Sequence, residues 1–385
     1  MSERDLRKWL EMLAAEGELR RVGAEVDWHL ELAEITRRAL ARRAPALVFE
    51  NIKGYRDGWC RRLFVNGLGS RGRLNLMFGL PKSASYAELV ATTRERLRAP
   101  VAPVTVASGP VKQNIIRGAA IDLTELPVPF WHELDGGRYI NTWCAVVTSD
   151  PDTGRHNVGT YRGMIAGRDR ISVLLEATRD WGRHYAKYRA RNEPMPVAVV
   201  YGWDPAMVYA AGHPFASDEY GIMGAIRGAP VALVKCETSD LLVPASAEIV
   251  VEGTISPDPA TYAMEGPFGE FSGVYGGFPQ PRPVIQVSRI THRDDPIYRG
   301  SIEGPAAGTP TESSLMFYVG WAAAMWEVLE SQGHADAVLD VVAGPWTVIK
   351  IRKAYEGQPR QIAAAIWGSK LITYIGKILV VVEED

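Results

Sequence analysis

Between about residues 105 and 302 the chain is cut into short β-branched runs separated by Gly, Pro and Asp, and this punctuation limits the fold more than any other feature. The runs are Ala145–Thr148, Ile171–Leu175, Val197–Tyr201, Ala232–Lys235, Glu248–Thr254 and Val284–Ile290. Their number and brevity predict a sheet-rich barrel or sandwich core. On the N-terminal side the period changes to that of helices. Leu6, Trp9, Leu10 and Leu13 recur at helical spacing, with Ser2 and Asp5 as a capping box and Gly17 as a stop. A second helix reads through Leu30, Leu32, Ile35 and Leu40, and a strand through Pro45 to Asn51. Ser85 and Glu88 form a capping box for a third helix that ends before Pro100. On the C-terminal side a long helix from about Thr311 to Ser331 leads into an α/β segment, with strands at Thr347–Ile351 and Ile378–Val382 and a helix over Gln361–Trp367.

Composition excludes several classes of function. The 43 basic and 45 acidic side chains leave a net charge of −2, without the basic excess that phosphate-backbone binding draws on, so no nucleic-acid partner is expected. Cys60, Cys144 and Cys236 are far apart and show no metal-finger spacing, which predicts reduced thiols and a cytoplasmic protein. The N-terminus mixes charges into its apolar positions, unlike a signal peptide, and the most apolar stretch, Leu371 to Val382, carries Lys377 and is too short to span a bilayer. No membrane partner is expected. The P-loop, the nucleophile elbow of hydrolases and the HExxH zinc motif are absent.

Three segments carry candidate chemistry. Glu265-Gly-Pro-Phe-Gly-Glu270 sets two carboxylates in a turn-rich stretch interleaved with Met264, Phe268 and Phe271. Such a loop can aim both acids into one pocket, where apolar company raises a carboxyl pKa towards neutrality; the alternative is an exposed acidic turn. Asn157-Val-Gly-Thr-Tyr-Arg162 offers an arginine able to grip a carboxylate through two parallel hydrogen bonds and an amide oxygen for a metal, or else an edge strand with an exposed arginine. His184 and Glu219 complete with Asn157 a mixed nitrogen and oxygen donor set suited to Mn²⁺ or Mg²⁺, although a lone histidine is more often a packed or surface residue.

These segments, taken in order with Asp5-Leu-Arg-Lys-Trp-Leu10, Ala46-Leu-Val-Phe-Glu-Asn51, the run from Leu126 to Ile140 (LPVPFWHELDGGRYI) and Val243-Pro-Ala-Ser-Ala-Glu-Ile-Val250, resemble the UbiD family of reversible decarboxylases that use prenylated FMN. The likeness runs along nearly the whole chain. It implies an α+β fold: an N-terminal α/β segment over 1–104, a split β-barrel flavin-binding core over 105–305, a linker helix over 306–332 and a shortened α/β C-terminal oligomerisation domain over 333–385. Because the chain stops at Val382-Glu-Glu-Asp385, where relatives continue, that last domain is expected to be incomplete.

The resemblance also assigns roles. Arg162, Glu265 and Glu270 match the family's catalytic Glu-Arg-Glu network, with Glu270 as proton donor. Asn157, His184 and Glu219 match the ligands of a Mn²⁺ (or Mg²⁺) that anchors the cofactor phosphate, with K⁺ alongside. Thr142, Thr160, Arg162, Arg183 and Lys377 fall at cofactor-lining positions. The implied activity is non-oxidative, reversible decarboxylation of an aromatic, heteroaromatic or α,β-unsaturated acid by a homodimer or higher homo-oligomer, with a flavin prenyltransferase supplying the cofactor. The physical need is plain: loss of CO₂ from an sp² carbon leaves an electron pair that no side chain can absorb, so a cofactor must do so. The competing reading is a non-catalytic or accessory subunit of a multi-subunit enzyme of this kind, against which the intact Arg162, Glu265 and Glu270 speak. A glycosidase acid pair at Glu265 and Glu270 would leave Asn157 and His184 unexplained.

Overall fold

Strand Met195–Tyr201 shows why the middle of the chain forms a sheet. Val197, Val199 and Tyr201 enter one hydrophobic core while Ala198 and Val200 enter another on the opposite face, so the two-residue period buries both sides and the strand reads as an unbroken apolar run. In the computed structural model, which describes residues 4–214, 218–304, 310–373 and 378–384, this strand lies within a nine-stranded sheet. The order is Tyr139–Asn141, Gly163–Gly167, Arg170–Val173, Val284–His292, Ile249–Ile255, Met195–Tyr201, Cys144–Ser149 and His156–Gly159, with Asn114–Arg117 also paired to Val284–His292. The pairings are antiparallel. Register shifts at Arg170/Ile171 and Glu252/Gly253 bend it into a half-open barrel. Gly253 permits the second, since a Cβ there would lie 2.2 Å from the Gln286 carbonyl oxygen.

The sheet-rich expectation for this region needs one correction. Three helices, Asp180–Ala190, Ala206–Ala211 and Glu219–Arg227, pack among the strands. The first is polar, yet it buries Trp181, His184 and Tyr185 at helical spacing. The other two are short and buried almost all round, so they offer no polar face for a period to reveal.

The N-terminal elements form where the local signals put them. Asp5 itself is the N-cap of helix Leu6–Ala15, accepting from the Lys8 amide, rather than the third residue of a box opened by Ser2, which lies outside the described residues; the Ser85–Glu88 box opens helix Tyr86–Leu97. Helix Glu31–Ala41 and strand Ala46–Phe49 also match. Their sheet runs Leu19–Val22, Ala46–Phe49, Arg62–Val65 and then Ile297–Arg299, a strand that arrives from more than two hundred residues downstream and lies parallel to Arg62–Val65. Arg299 is buried against Glu312, whose carboxylate also accepts from the Asn66 and Leu68 amides at 3.0 and 3.1 Å. Helix Glu312–Ser331 starts there and leads to the C-terminal sheet of Val338–Val342, Trp346–Ile351 and Ile378–Val382, with helix Gln358–Trp367 packed on it. Among the described residues no helix is long and apolar enough to cross a membrane.

Candidate active site

Arg162 sits in the turn between strands His156–Gly159 and Gly163–Gly167, with its guanidinium directed at two carboxylates. Its Nη2 donates to Glu265 Oε2 at 3.0 Å, its Nε lies 3.0 Å from Glu265 Oε1, and its Nη1 donates to Glu270. The two acids differ in freedom. Glu265 is 1% exposed and accepts a further hydrogen bond from the Tyr139 hydroxyl at 2.7 Å, which pins it. Glu270 follows strand Phe268–Gly269 and keeps 29% of its side chain exposed on the wall of a cavity. Burial raises the Glu270 pKa above the ordinary carboxyl value, outweighing the opposite pull of Arg162. Burial works against the Arg162 charge, but Glu265 and then Glu270 more than restore it.

The turn-rich segment is built as two short hairpins. Ala263–Glu265 pairs with Gln280–Arg282, and Phe268–Gly269 with Tyr275–Gly276. Gly276 and Gly277 leave the room this needs: a Cβ would come within 2.6 Å of Glu270 Cγ at the first and 3.3 Å of Arg162 Nη2 at the second. From the outside, Asp135 accepts from the Gly269 amide at 2.8 Å and the His132 amide at 3.1 Å, while the Gly136 amide donates to the Pro267 carbonyl at 2.7 Å. The 132–136 loop thus fixes the backbone from which Glu270 projects.

The expected metal set gathers around one strand. Asn157 pairs across the sheet with Thr148, and the Thr148 hydroxyl meets His184 Nδ1 at 3.0 Å. Fixing Nδ1 leaves Nε2 as the nitrogen for a ligand, the usual outer-shell arrangement of metal-binding histidines. Glu219 opens its helix behind the Asp218 cap and accepts from the Val158 amide at a long 3.4 Å. It makes no ion pair among the described residues, and burial pushes its pKa up to about 7. A buried carboxylate without a cation, beside an amide and an oriented imidazole, fits a divalent metal with nitrogen and oxygen ligands. Among the described residues no three His, Cys, Asp or Glu side chains converge, so the set depends on the amide of Asn157.

A cavity of about 360 Å³ connects these groups. Thr142, Asn157, Thr160, Arg162, Arg183, Glu219 and Glu270 line it; Glu265 stands behind Arg162, and His184 is not part of the wall. Lys377 lies outside the described residues. Thr142 also accepts from the Ser301 amide at 3.0 Å. Tyr161 stacks on Trp181 with ring centroids 4.1 Å apart, and Tyr161, Phe268 and Phe271 supply flat apolar surface to the cavity.

The structure adds groups that sequence reading passed over. Glu303, Ser313, Phe317, Trp321 and Lys370 line the same cavity. The aromatic pair was hidden in a helix read as a connector; a lone glutamate between Ile302 and Gly304 gives no signal. A second omission is Gly67-Leu-Gly-Ser-Arg-Gly72, a GxGxxG spacing between strand Arg62–Val65 and helix Arg71–Met77. The room a dinucleotide would need is filled there: a Cβ on Gly67 would lie 2.9 Å from the Phe64 ring, and one on Gly69 would lie 2.9 Å from Leu40 and Arg73. These glycines serve packing.

Comparison with known proteins identifies the family. The family model of the 3-octaprenyl-4-hydroxybenzoate carboxy-lyase Rift-related domain matches residues 103–306, with the N-terminal and C-terminal domain models of that carboxy-lyase at 10–93 and 322–385. The pyrrole-2-carboxylic acid decarboxylase of Pseudomonas aeruginosa is 36% identical over 363 residues, covering 90% of this chain and 71% of that protein. The closed form of vanillic acid decarboxylase from Sedimentibacter hydroxybenzoicus superposes with a TM-score of 0.89 at 33% identity, over 100% of this chain and 82% of the other. An evolved dimeric form of the UbiD-class enzyme HmfF from Pelotomaculum thermopropionicum, solved with prenylated FMN, gives 0.88 at 31% identity, over 100% and 86%. A curled antiparallel core, flanking α/β segments and matches along the whole length lead to one conclusion: the chain belongs to the UbiD family of carboxy-lyases.

Proposed function

We propose that the chain removes CO₂ reversibly, without net oxidation, from an aromatic or heteroaromatic carboxylic acid held in the cavity bordered by Arg162 and Glu270, with prenylated FMN as cofactor. The observation that carries this reading is the asymmetric triplet, one carboxylate locked on Arg162 and the other turned to an aromatic-walled cavity. Arg162 would orient the substrate carboxylate, and Glu265, fixed by Tyr139, holds Arg162 in place. Over the whole reaction a C–H bond replaces the C–C bond: CO₂ leaves without the bonding pair, and that pair finally joins the ring carbon to a proton delivered from Glu270. Carboxylation is the reverse. When bound, prenylated FMN supplies the electron sink for that pair. Burial suits Glu270 to its part, because a pKa above the ordinary carboxyl value favours taking up the proton it delivers.

Asn157, His184 and Glu219 would hold Mn²⁺ or Mg²⁺ at the cofactor phosphate, where a buried dianion needs compensating charge. Thr142, Thr160 and Arg183 border the remaining space. A neighbouring K⁺, a prenyltransferase supplier, a cytoplasmic setting and a homo-oligomeric assembly belong to the same reading.

Protein co-expressed with a flavin prenyltransferase tests it. Hydrogen exchange at the carboxyl-bearing carbon is expected with at least one aromatic acid, and Glu270→Gln should lower the rate by about 10²- to 10⁴-fold while keeping the cofactor absorbance. Normal exchange in that variant would remove Glu270 from its role.

A further inference from the structure

Glu303 is a buried carboxyl group on the cavity wall that the decarboxylation reading does not use. It is 7% exposed and lies on the segment joining strand Ile297–Arg299 to helix Glu312–Ser331. Gly304, at a positive φ of 60°, sits so close to the Glu270 hairpin that a Cβ would lie 2.5 Å from the Glu270 carbonyl oxygen. Ser313 Oγ donates to Glu303 Oε1 at 2.5 Å, and the Ser301 hydroxyl is also near. No cation pairs with Glu303 among the described residues.

A purely structural purpose is already met by other groups. The helix that follows is capped by Thr311, whose hydroxyl accepts from the Ser314 amide, and its attachment to the N-terminal sheet is made by Glu312 through Arg299. Across the same cavity stand Phe271, Phe317 and Trp321, with the last two stacked at 5.9 Å. The cavity beside Glu303 therefore offers flat aromatic walls together with polar groups that include His213 and Lys370.

Resting on the decarboxylase reading above, we propose that Glu303 is the specificity-determining residue of the site: it hydrogen-bonds a polar ring group, a hydroxyl or a ring N–H, of an aromatic acid whose carboxylate is held at Arg162. A plain hydrocarbon ring would displace water from Glu303 and leave a buried carboxyl oxygen without a partner, a larger penalty than the lost contact alone. Burial, with Glu312 and Glu270 adding repulsion, pushes the Glu303 pKa up to about 8. The neutral acid both donates and accepts, so it serves a hydroxyl or an N–H alike.

The test uses holoenzyme and two matched pairs: benzoic acids with and without a ring hydroxyl, and five-membered heteroaromatic-2-carboxylic acids with a ring N–H or with sulfur in its place. Hydrogen exchange gives kcat and KM, and calorimetry gives Kd. In the wild type the polar member of at least one pair is expected to be favoured tenfold or more, mainly through KM and Kd. Glu303→Leu should bring that ratio to within about twofold, and Glu303→Gln, which keeps volume and hydrogen bonding, should retain most of it. An unchanged ratio in Glu303→Leu, or a wild type with no preference in either pair, overturns the inference and leaves the decarboxylase reading standing. Failure of every acid to exchange overturns both.

Discussion

Replacing Glu303 by Gln should give a stability gain that appears only as pH rises. The wild-type carboxyl moves from an ordinary 4.5 to about 8 on folding. At about 1.36 kcal/mol for each pH step of displacement, the full effect is about 5 kcal/mol, and water reaching the cavity lowers it to an expected 2–3 kcal/mol. The sign follows from proton binding. Between pH 4.5 and 8 the folded chain keeps a proton that the unfolded chain has lost, so wild-type stability falls across this window and the deficit is complete above it. Glutamine is isosteric, keeps an oxygen for the Ser313 hydroxyl at Glu303's 2.5 Å contact, and has nothing to titrate. Urea unfolding of the two proteins in parallel at pH 5, 6.5 and 8.5, with equal metal and cofactor content, should place Glu303→Gln within about 1 kcal/mol of wild type at pH 5 and about 2–3 kcal/mol above it at pH 8.5. Infrared difference spectra should show a protonated carboxyl at pH 6.5 that the variant lacks. A stability difference that stays flat from pH 5 to 8.5 would show that Glu303 titrates like an exposed acid.

Two further outcomes follow from contacts one step removed from the site. Thr148→Val removes the hydroxyl that meets His184 Nδ1 and should weaken divalent-metal binding by about 10- to 100-fold in a direct metal titration, with the unfolding midpoint of the metal-free protein little changed; metal affinity equal to wild type would detach Thr148 and His184 from the metal. Asp135→Ala leaves the Gly269 and His132 amides unpaired, so it should cost about 2–4 kcal/mol of stability and lower kcat for exchange with cofactor absorbance intact; an unaltered kcat would mean that the Glu270 hairpin holds its shape without the 132–136 loop.

The parts of the molecule legible in its sequence are those where one local signal determines the outcome. Ser85 with Glu88 fixes a helix start, and strands such as Met195–Tyr201 are bounded by turns and filled with β-branched residues. The Glu265 and Glu270 pair stands out because glycine, proline and phenylalanine surround it. Illegible features depend on distant partners. Helix Asp180–Ala190 looks like a polar loop until the burial of Trp181, His184 and Tyr185 shows its inner face. The Thr148 contact to His184 spans thirty-six residues and follows from sheet register, which no motif records. Glu303 becomes distinctive only once helix Glu312–Ser331 brings Ser313, Phe317 and Trp321 to the same cavity.

The late arrival of strand Ile297–Arg299 has a consequence for biosynthesis. During translation the Arg62–Val65 edge emerges early, paired on one side with Ala46–Phe49, and waits for its other neighbour until most of the flavin-binding core has left the ribosome. Over that interval it is an open sheet edge of the kind that captures foreign strands. Once it is closed, a buried Arg299–Glu312 ion pair, the Asn66–Leu68 loop and further pairs such as Arg293–Asp5 and Arg94–Glu330 join the first and last thirds of the chain. A nick in the 97–104 connection would therefore leave two fragments that stay together, whereas an N-terminal piece made alone would be an aggregation hazard rather than a separable module.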